Sequence, residues 1–98
     1  MNNMQAMLKQ AQALQKDMLK VKKEIDESEF VGESSLVKVT LKGTKEVVDV
    51  EIDANSLDSD DIEALEDMLI VAINQANKKI DDMTERKMGK FGSIPGLF

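Results

Sequence analysis

Four residue types that carry much of protein chemistry are missing from this 98-residue chain: cysteine, histidine, tyrosine and tryptophan. Without cysteine there is neither a disulfide framework nor a thiolate metal site. Without histidine, the chain lacks the commonest metal ligand and a general base whose charge changes near neutral pH. The composition therefore predicts a protein that is not an enzyme, with no cofactor, no metal site and no small-molecule substrate.

Long apolar runs are also missing. No apolar stretch reaches the ~18 residues expected of a membrane helix, and the first residues lack the charged and apolar regions of a secretory signal. We therefore expect a soluble cytoplasmic protein with no membrane partner. The length predicts a single domain over residues 1–98. Two long helices in so short a chain leave little for a core, so we also expect an oligomer.

The strongest pattern in the chain is a heptad repeat at its beginning. Apolar residues recur in alternating steps of three and four, a spacing that predicts a helix packing along another helix as in a coiled coil. This apolar seam consists of Met4, Met7, Ala11, Leu14, Met18, Val21 and Ile25. Helical stripes of this kind are usually core. The alternative is that the methionine-rich seam is an adaptable surface that binds a protein partner.

After the first helix, the spacing of apolar residues changes to every second residue, as in strands, and later returns to the spacing of a helix. The pattern predicts a helix over residues 3–27, strands over 29–33, 36–42 and 46–53, a second helix over 59–88 and an irregular tail over 89–98. The expected fold is α+β: a long N-terminal helix, a three-stranded antiparallel β-meander and a long C-terminal helix. An even-length turn around Gly43 would place Val39 opposite Val48 and Lys38 opposite Asp49.

Charge is distributed unevenly along the chain, although the net charge is −6. Residues 1–23 hold five Lys and one Asp, residues 24–67 hold three Lys and fifteen acids, and residues 68–98 hold five basic and three acidic residues. The acids at 58–67 are most simply a helix cap and a solvated face, because they lack the ligand spacing of a calcium loop.

The basic residues of the two helices are the candidate binding residues. Three of them share one heptad position and recur every ~10 Å along the first helix. Two interpretations stay open: an ordinary solvated face in an acidic protein, or a surface that follows a phosphate backbone. The candidates are Lys9, Lys16, Lys20, Lys23, Lys78, Lys79, Arg86 and Lys87.

Several segments of the chain resemble the YbaB/EbfC family of nucleoid-associated proteins, in order and over nearly the whole length. The segments are MLKQAQALQK at 7–16, LVKVT at 36–40, residues 48–53 and 65–76, MGK at 88–90 and IPGLF at 94–98. The chain departs from the family in loops. Family members often carry glycines where this chain has Glu33-Ser34-Ser35, and proline where it has Ala54 and Ser59.

The resemblance implies a homodimer with a core built from its sheets and with projecting helical arms. It also implies double-stranded DNA as the partner, a location at the bacterial nucleoid, and a role in gene regulation or nucleoid organisation. The eight basic candidates would then contact phosphates, and the single Arg predicts weak reading of bases. The alternative is a structural or adaptor protein that holds a protein partner through its methionine-rich seam.

Overall fold

The computed structural model describes residues 3–91. It confirms the predicted order of one helix, three antiparallel strands and a second helix. Short 3₁₀ turns follow β3, precede α2 and follow α2. The elements are α1 (Asn3–Glu27), β1 (Glu29–Ser34), β2 (Val37–Lys42), β3 (Val47–Ile52) and α2 (Ile62–Met88). Of the predicted tail, residues 89–91 form the last 3₁₀ turn, and residues 92–98 lie outside the described residues.

The sheet has the order β1-β2-β3, and both pairs are antiparallel. Apolar residues face each other across β2 and β3, but the turn has three residues, 43–45, and is not even. The predicted partners are wrong by two residues. Val39 faces Val50, and Lys38 faces Glu51. The shift arises because the turn is longer than predicted and because a bulge between Thr40 and Leu41 places one extra residue in β3.

Helix α2 covers β1 and β2 and leaves the same face of β3 exposed. Gly32 on β1 makes this close packing possible, because a Cβ there would overlap the carbonyl oxygen of Ala72. Val50 and Ile52 on β3 keep 44% and 39% of their surface exposed. The core beneath α2 contains Phe30, Val37, Val39, Leu41, Ala72, Ala76 and Ile80.

Only the C-terminal part of the apolar seam packs within the described chain. Met18 and Ile25 are buried, and together with Ile80 and Met88 they line one hollow between the two helices. Ile25 also lies against Gly43 in the turn after β2. The same turn is joined to α2 by an ion pair between Lys45 and Asp81, the residue after Ile80. The two helices are therefore antiparallel, with Ile25 near Ile80 and Met18 near Met88.

The first part of α1 projects from this body. Every residue from 3 to 17 is exposed, and we call this segment the arm. Its apolar residues are among the most exposed in the protein: Met4 is 83% exposed and Met7 is 67% exposed. The arm gives the molecule an elongated outline of 74 × 19 × 15 Å.

The two ends of α2 differ from an ideal helix in small ways. At its start, the Asp61 carboxylate accepts a hydrogen bond from the backbone N–H of Asp58 at 3.0 Å, as in a capping box. Residues 59–61 form a 3₁₀ turn, so the α-helix begins at Ile62. At its end, Gly89 keeps helical angles (φ −58°, ψ −34°) and not the left-handed conformation of a typical glycine stop.

Candidate nucleic-acid interface

The arm and its base present a row of lysines on the side opposite the apolar seam. Lys9, Lys16 and Lys23 share one heptad position, and Lys20 lies beside them; all four are exposed. Within residues 3–91, no acid lies within ion-pair distance of Lys9, Lys16 or Lys20. Lys23 is 4.0 Å from Glu27, and both side chains are largely exposed. Such a pair contributes little, so these lysines are available to an outside anion. We call Lys9, Lys16 and Lys23 the lysine line.

The four basic candidates on α2 are in two different situations. Lys78 forms an ion pair with Asp82 at 3.3 Å, and Lys79 donates a hydrogen bond to the carbonyl oxygen of Val31 at 2.6 Å. Arg86 and Lys87 are exposed in the last turn of the helix, and neither pairs with an acid of the described chain. This last turn lies near the base of the arm because the helices are antiparallel.

Two side chains of α2 occupy the outer edge of the sheet at β1, and sequence patterns did not reveal this role. Gln75 Oε1 accepts a hydrogen bond from the Glu33 N–H at 2.7 Å, and Lys79 donates a hydrogen bond to the Val31 carbonyl oxygen. Both contacts join residues more than 40 positions apart, and no local periodicity indicates them. They matter because an unpaired strand edge is a template for another chain.

Most acidic residues lie away from the arm, which itself carries one acid, the exposed Asp17. Asp49 and Glu51 are exposed on β3, and the acids around residues 58–67 mark the start of α2, at the opposite end of that helix from the arm. Within residues 3–91 no three acidic residues come close enough together to hold a metal ion. No helix in the same range has the length and apolar character needed to cross a membrane.

Comparison with known proteins agrees with this geometry. The model of the YbaB/EbfC DNA-binding family matches residues 1–94. A nucleoid-associated protein of Streptococcus suis is 43% identical over 97% of this chain and 99% of its own length. One from Pelotomaculum thermopropionicum is 41% identical over 98% of this chain and 96% of its own length. The crystal structure of an uncharacterized Helicobacter pylori protein shares the fold (TM-score 0.68, 24% identity, 88% of this chain and 90% of that chain).

The α+β fold is thus shared with a protein of known structure, and the sequence match extends over almost the whole chain. The chain belongs to the YbaB/EbfC DNA-binding family. That family is defined by DNA binding and not by an enzymatic activity.

Proposed function

We propose that this protein is a nucleoid-associated homodimer that binds double-stranded DNA mainly through its phosphate backbone. The observation that carries the proposal is the lysine line, exposed along a helix that projects from the body. The relatives in Streptococcus suis and Pelotomaculum thermopropionicum are both named nucleoid-associated proteins. Their names support a place for this protein at the bacterial nucleoid. A role in nucleoid organisation or in gene regulation is part of our proposal.

Phosphate contacts are expected to dominate because the available cations are almost all lysines. Lysine binds phosphate as a point charge, whereas bidentate recognition of guanine is most often the work of arginine. Arg86 is the only arginine in the chain. Binding should therefore depend little on sequence. Lys79 is already bound to a backbone carbonyl, whereas Lys78 has only an exposed ion pair. We therefore assign the main contacts to the seven candidates other than Lys79.

The acidic part of the protein limits how the duplex can approach. Asp49, Glu51 and the acids at the start of α2 would repel phosphates, and they lie away from the arm. DNA is therefore expected to contact the arm and the nearby last turn of α2. Since the net charge is −6, affinity should be modest and should depend strongly on ionic strength.

The homodimer is expected to form through β3. The outer edge of β1 is occupied by side chains of α2, whereas β3 is the other edge strand of the sheet. Val50 and Ile52 continue the apolar face of Val37 and Val39, but α2 does not cover them. An edge strand with an exposed apolar face favours a second copy of the chain as its cover.

A mobility-shift titration tests the DNA proposal. Several unrelated duplexes would be titrated with protein at salt concentrations between about 50 and 200 mM, a range over which binding through several phosphate contacts weakens by orders of magnitude. We expect similar affinity for every duplex and a linear fall of log K with log salt concentration. Absence of binding at the lowest salt concentration, or binding unaffected by salt, would contradict it.

The exposed methionines of the arm support a second candidate function. Met4 and Met7 are highly exposed, and flexible thioether side chains suit binding to varied apolar partners. The protein would then be an adaptor that holds a protein partner along the apolar seam. Apolar contacts of that kind would give an affinity that changes little with salt, in contrast to DNA binding.

A further inference from the structure

Along the arm, the apolar seam is uncovered within residues 3–91. Met4 and Met7 are more than half exposed and Leu14 is 38% exposed, whereas the next seam residue, Met18, is buried. Leu8 lies beside the seam and is 60% exposed. Most of the stability of helices in proteins comes from packing of an apolar face. The arm therefore presents an unpaired contact surface that ends where the body begins.

The positions that flank the seam in the arm carry almost no charge. In a coiled coil, the partner helix touches the heptad positions on either side of the seam, and like charges there keep identical helices apart. In the arm these positions are held by Asn3, Leu8, Gln10, Gln15 and Asp17. The lysines of the arm lie on the side opposite the seam, so two copies of the arm can approach along their seams without repulsion between lysines.

The sizes of the seam residues fit an antiparallel pair of arms. In a parallel pair each seam residue faces its own counterpart, so two copies of Ala11 would meet and leave a gap. In an antiparallel pair centred on the exposed seam, Ala11 faces the partner's Met7, and Leu14 faces the partner's Met4. The long methionine then fills the space beside the small alanine, and Leu8 lies next to the partner's Leu8.

The position of the body also favours antiparallel arms. Met18 is buried near Met88 of α2, so a partner helix cannot follow the seam beyond about Leu14. Two antiparallel arms of ~21 Å overlap along their whole exposed length and place the two bodies at opposite ends. Two parallel arms would instead place both bodies side by side at the same end.

We propose that the arms of two copies of this chain pair antiparallel along their apolar seams. The contact is isologous, because both copies use the same surface. It is separate from β3, so the two contacts together join homodimers to one another. The arm contact is short and has only four seam residues from each copy. We therefore expect it to be weaker than the contact through β3 and to form at higher protein concentration.

Pairing gives the arms a further property on DNA. The lysine line lies on the side of the helix opposite the seam, so the lysine lines of two paired arms face away from each other. Each line then contacts a different duplex, and one pair of arms holds two DNA segments together. This bridging rests on the proposed function, whereas the pairing itself does not.

Single cysteines test the pairing and its direction, because the natural chain has none. In antiparallel arms, position 8 lies beside position 8 of the partner, whereas position 14 lies ~15 Å from its counterpart. The variants are Leu8→Cys, Leu14→Cys and, as a control, Ala13→Cys, since Ala13 is exposed and lies off the seam. We expect disulfide-linked chains to form about tenfold faster in Leu8→Cys than in the other two, because pairing raises the effective concentration at that position.

Two results would overturn the proposal. Faster linkage in Leu14→Cys than in Leu8→Cys would replace the antiparallel pair with a parallel one. Equal rates in all three variants would exclude pairing and leave the seam to a different protein partner. The rates come from gel electrophoresis of the full chain without any DNA, so they do not depend on DNA binding.

Two glutamate variants test the bridging of DNA. Ala11→Glu places a charge in the seam, and Ala13→Glu adds the same charge elsewhere on the same helix. Glutamate is a good helix former, so both variants should keep the helical circular dichroism of the wild type. One duplex is fixed to beads, and capture of a second, labelled duplex is measured.

We expect both glutamate variants to bind a single duplex with the same affinity and only Ala11→Glu to lose capture of the second duplex. Equal capture by the two variants would contradict bridging through paired arms. Failure of the wild type to bind even a single duplex would contradict the proposed function and not the pairing, which the cysteine rates decide.

Discussion

Lys79 donates a hydrogen bond from Nζ to the carbonyl oxygen of Val31 at 2.6 Å. This contact and the neighbouring one from Glu33 to Gln75 place side chains of α2 on the outer edge of β1. The two edges of the sheet therefore differ: β1 is occupied by its own helix, and β3 is not. A lysine that is a DNA-binding candidate by sequence thus has a structural partner in the folded chain.

Replacement of Lys79 separates these two roles. Lys79→Met keeps the apolar stem and removes the hydrogen bond to Val31, so we expect the free energy of unfolding to fall by ~1 kcal/mol. The slope of log K against log salt for DNA should not change. Lys78→Met is the control, because it removes only an exposed ion pair and should cost less. A flatter slope in Lys79→Met alone would show that Lys79 contacts phosphate.

Replacement of the lysine line tests the DNA contacts. With Lys9, Lys16 and Lys23 all changed to Gln, the apolar seam is intact and helix propensity is almost unchanged. Affinity should fall on every duplex, and the salt slope should flatten by ~0.9 per lost contact, or up to ~2.7 for one arm.

A matched triple variant controls for net charge. This control removes an equal number of positive charges from the sheet region, by Lys38→Gln, Lys42→Gln and Lys45→Gln. Its salt slope should stay near the wild-type value. Similar slopes for the two triple variants would mean that the lysine line is only a solvated face, and the adaptor function would become the better explanation.

Two valines on facing strands distinguish folding from dimerisation. Val39 is fully buried beneath α2, whereas Val50 opposite it is 44% exposed. Val39→Asp buries an unpaired carboxylate and should unfold the chain, at a cost above ~4 kcal/mol. Val50→Asp should keep its helical circular dichroism and lose the dimer in sedimentation equilibrium. A Val50→Asp protein that dimerises as tightly as the wild type would contradict the interface through β3.

Two glycines with opposite surroundings test the packing of α2 on β1. In Gly32→Ala the new methyl group meets the backbone of Ala72 and Ala76, so the helix must move, and we expect a loss of ~3 kcal/mol or more. In Gly89→Ala the methyl group meets nothing within 4 Å and the backbone is already helical. That change should stabilise the protein by ~0.5–1 kcal/mol. Chemical denaturation gives the free energy of unfolding of both variants. Similar changes in the two would contradict the close approach of α2 to Gly32.

The order of elements was predictable because each hydrophobic period is local. The heptad from Met4 to Ile25 and the alternation in β2 and β3 are visible within single segments. The lysine line was also predictable, since heptad spacing alone places Lys9, Lys16 and Lys23 on one side of a helix. The heptad pattern does not show which part of the apolar seam is covered, because the cover depends on where α2 ends.

The register of β2 and β3 was not predictable from the same pattern. The turn depends on contacts distant in sequence: Gly43 donates a hydrogen bond to the carbonyl oxygen of Ser28 at 3.0 Å and lies against Ile25. Lys45 takes a left-handed conformation with φ 75°, which residues other than glycine rarely adopt. The roles of Gln75 and Lys79 were missed for a related reason, because they depend on which strand α2 covers.

The elongated outline of 74 × 19 × 15 Å affects the rate at which the protein diffuses and the volume at which it elutes from a gel-filtration column. Its radius of gyration is 19.7 Å, whereas a compact chain of about 100 residues has one of about 13 Å. Such a rod diffuses more slowly than a sphere of equal mass and leaves a gel-filtration column early. A single chain can therefore elute where globular standards place a dimer. Subunit number should be taken from sedimentation equilibrium or light scattering, which measure mass independently of shape.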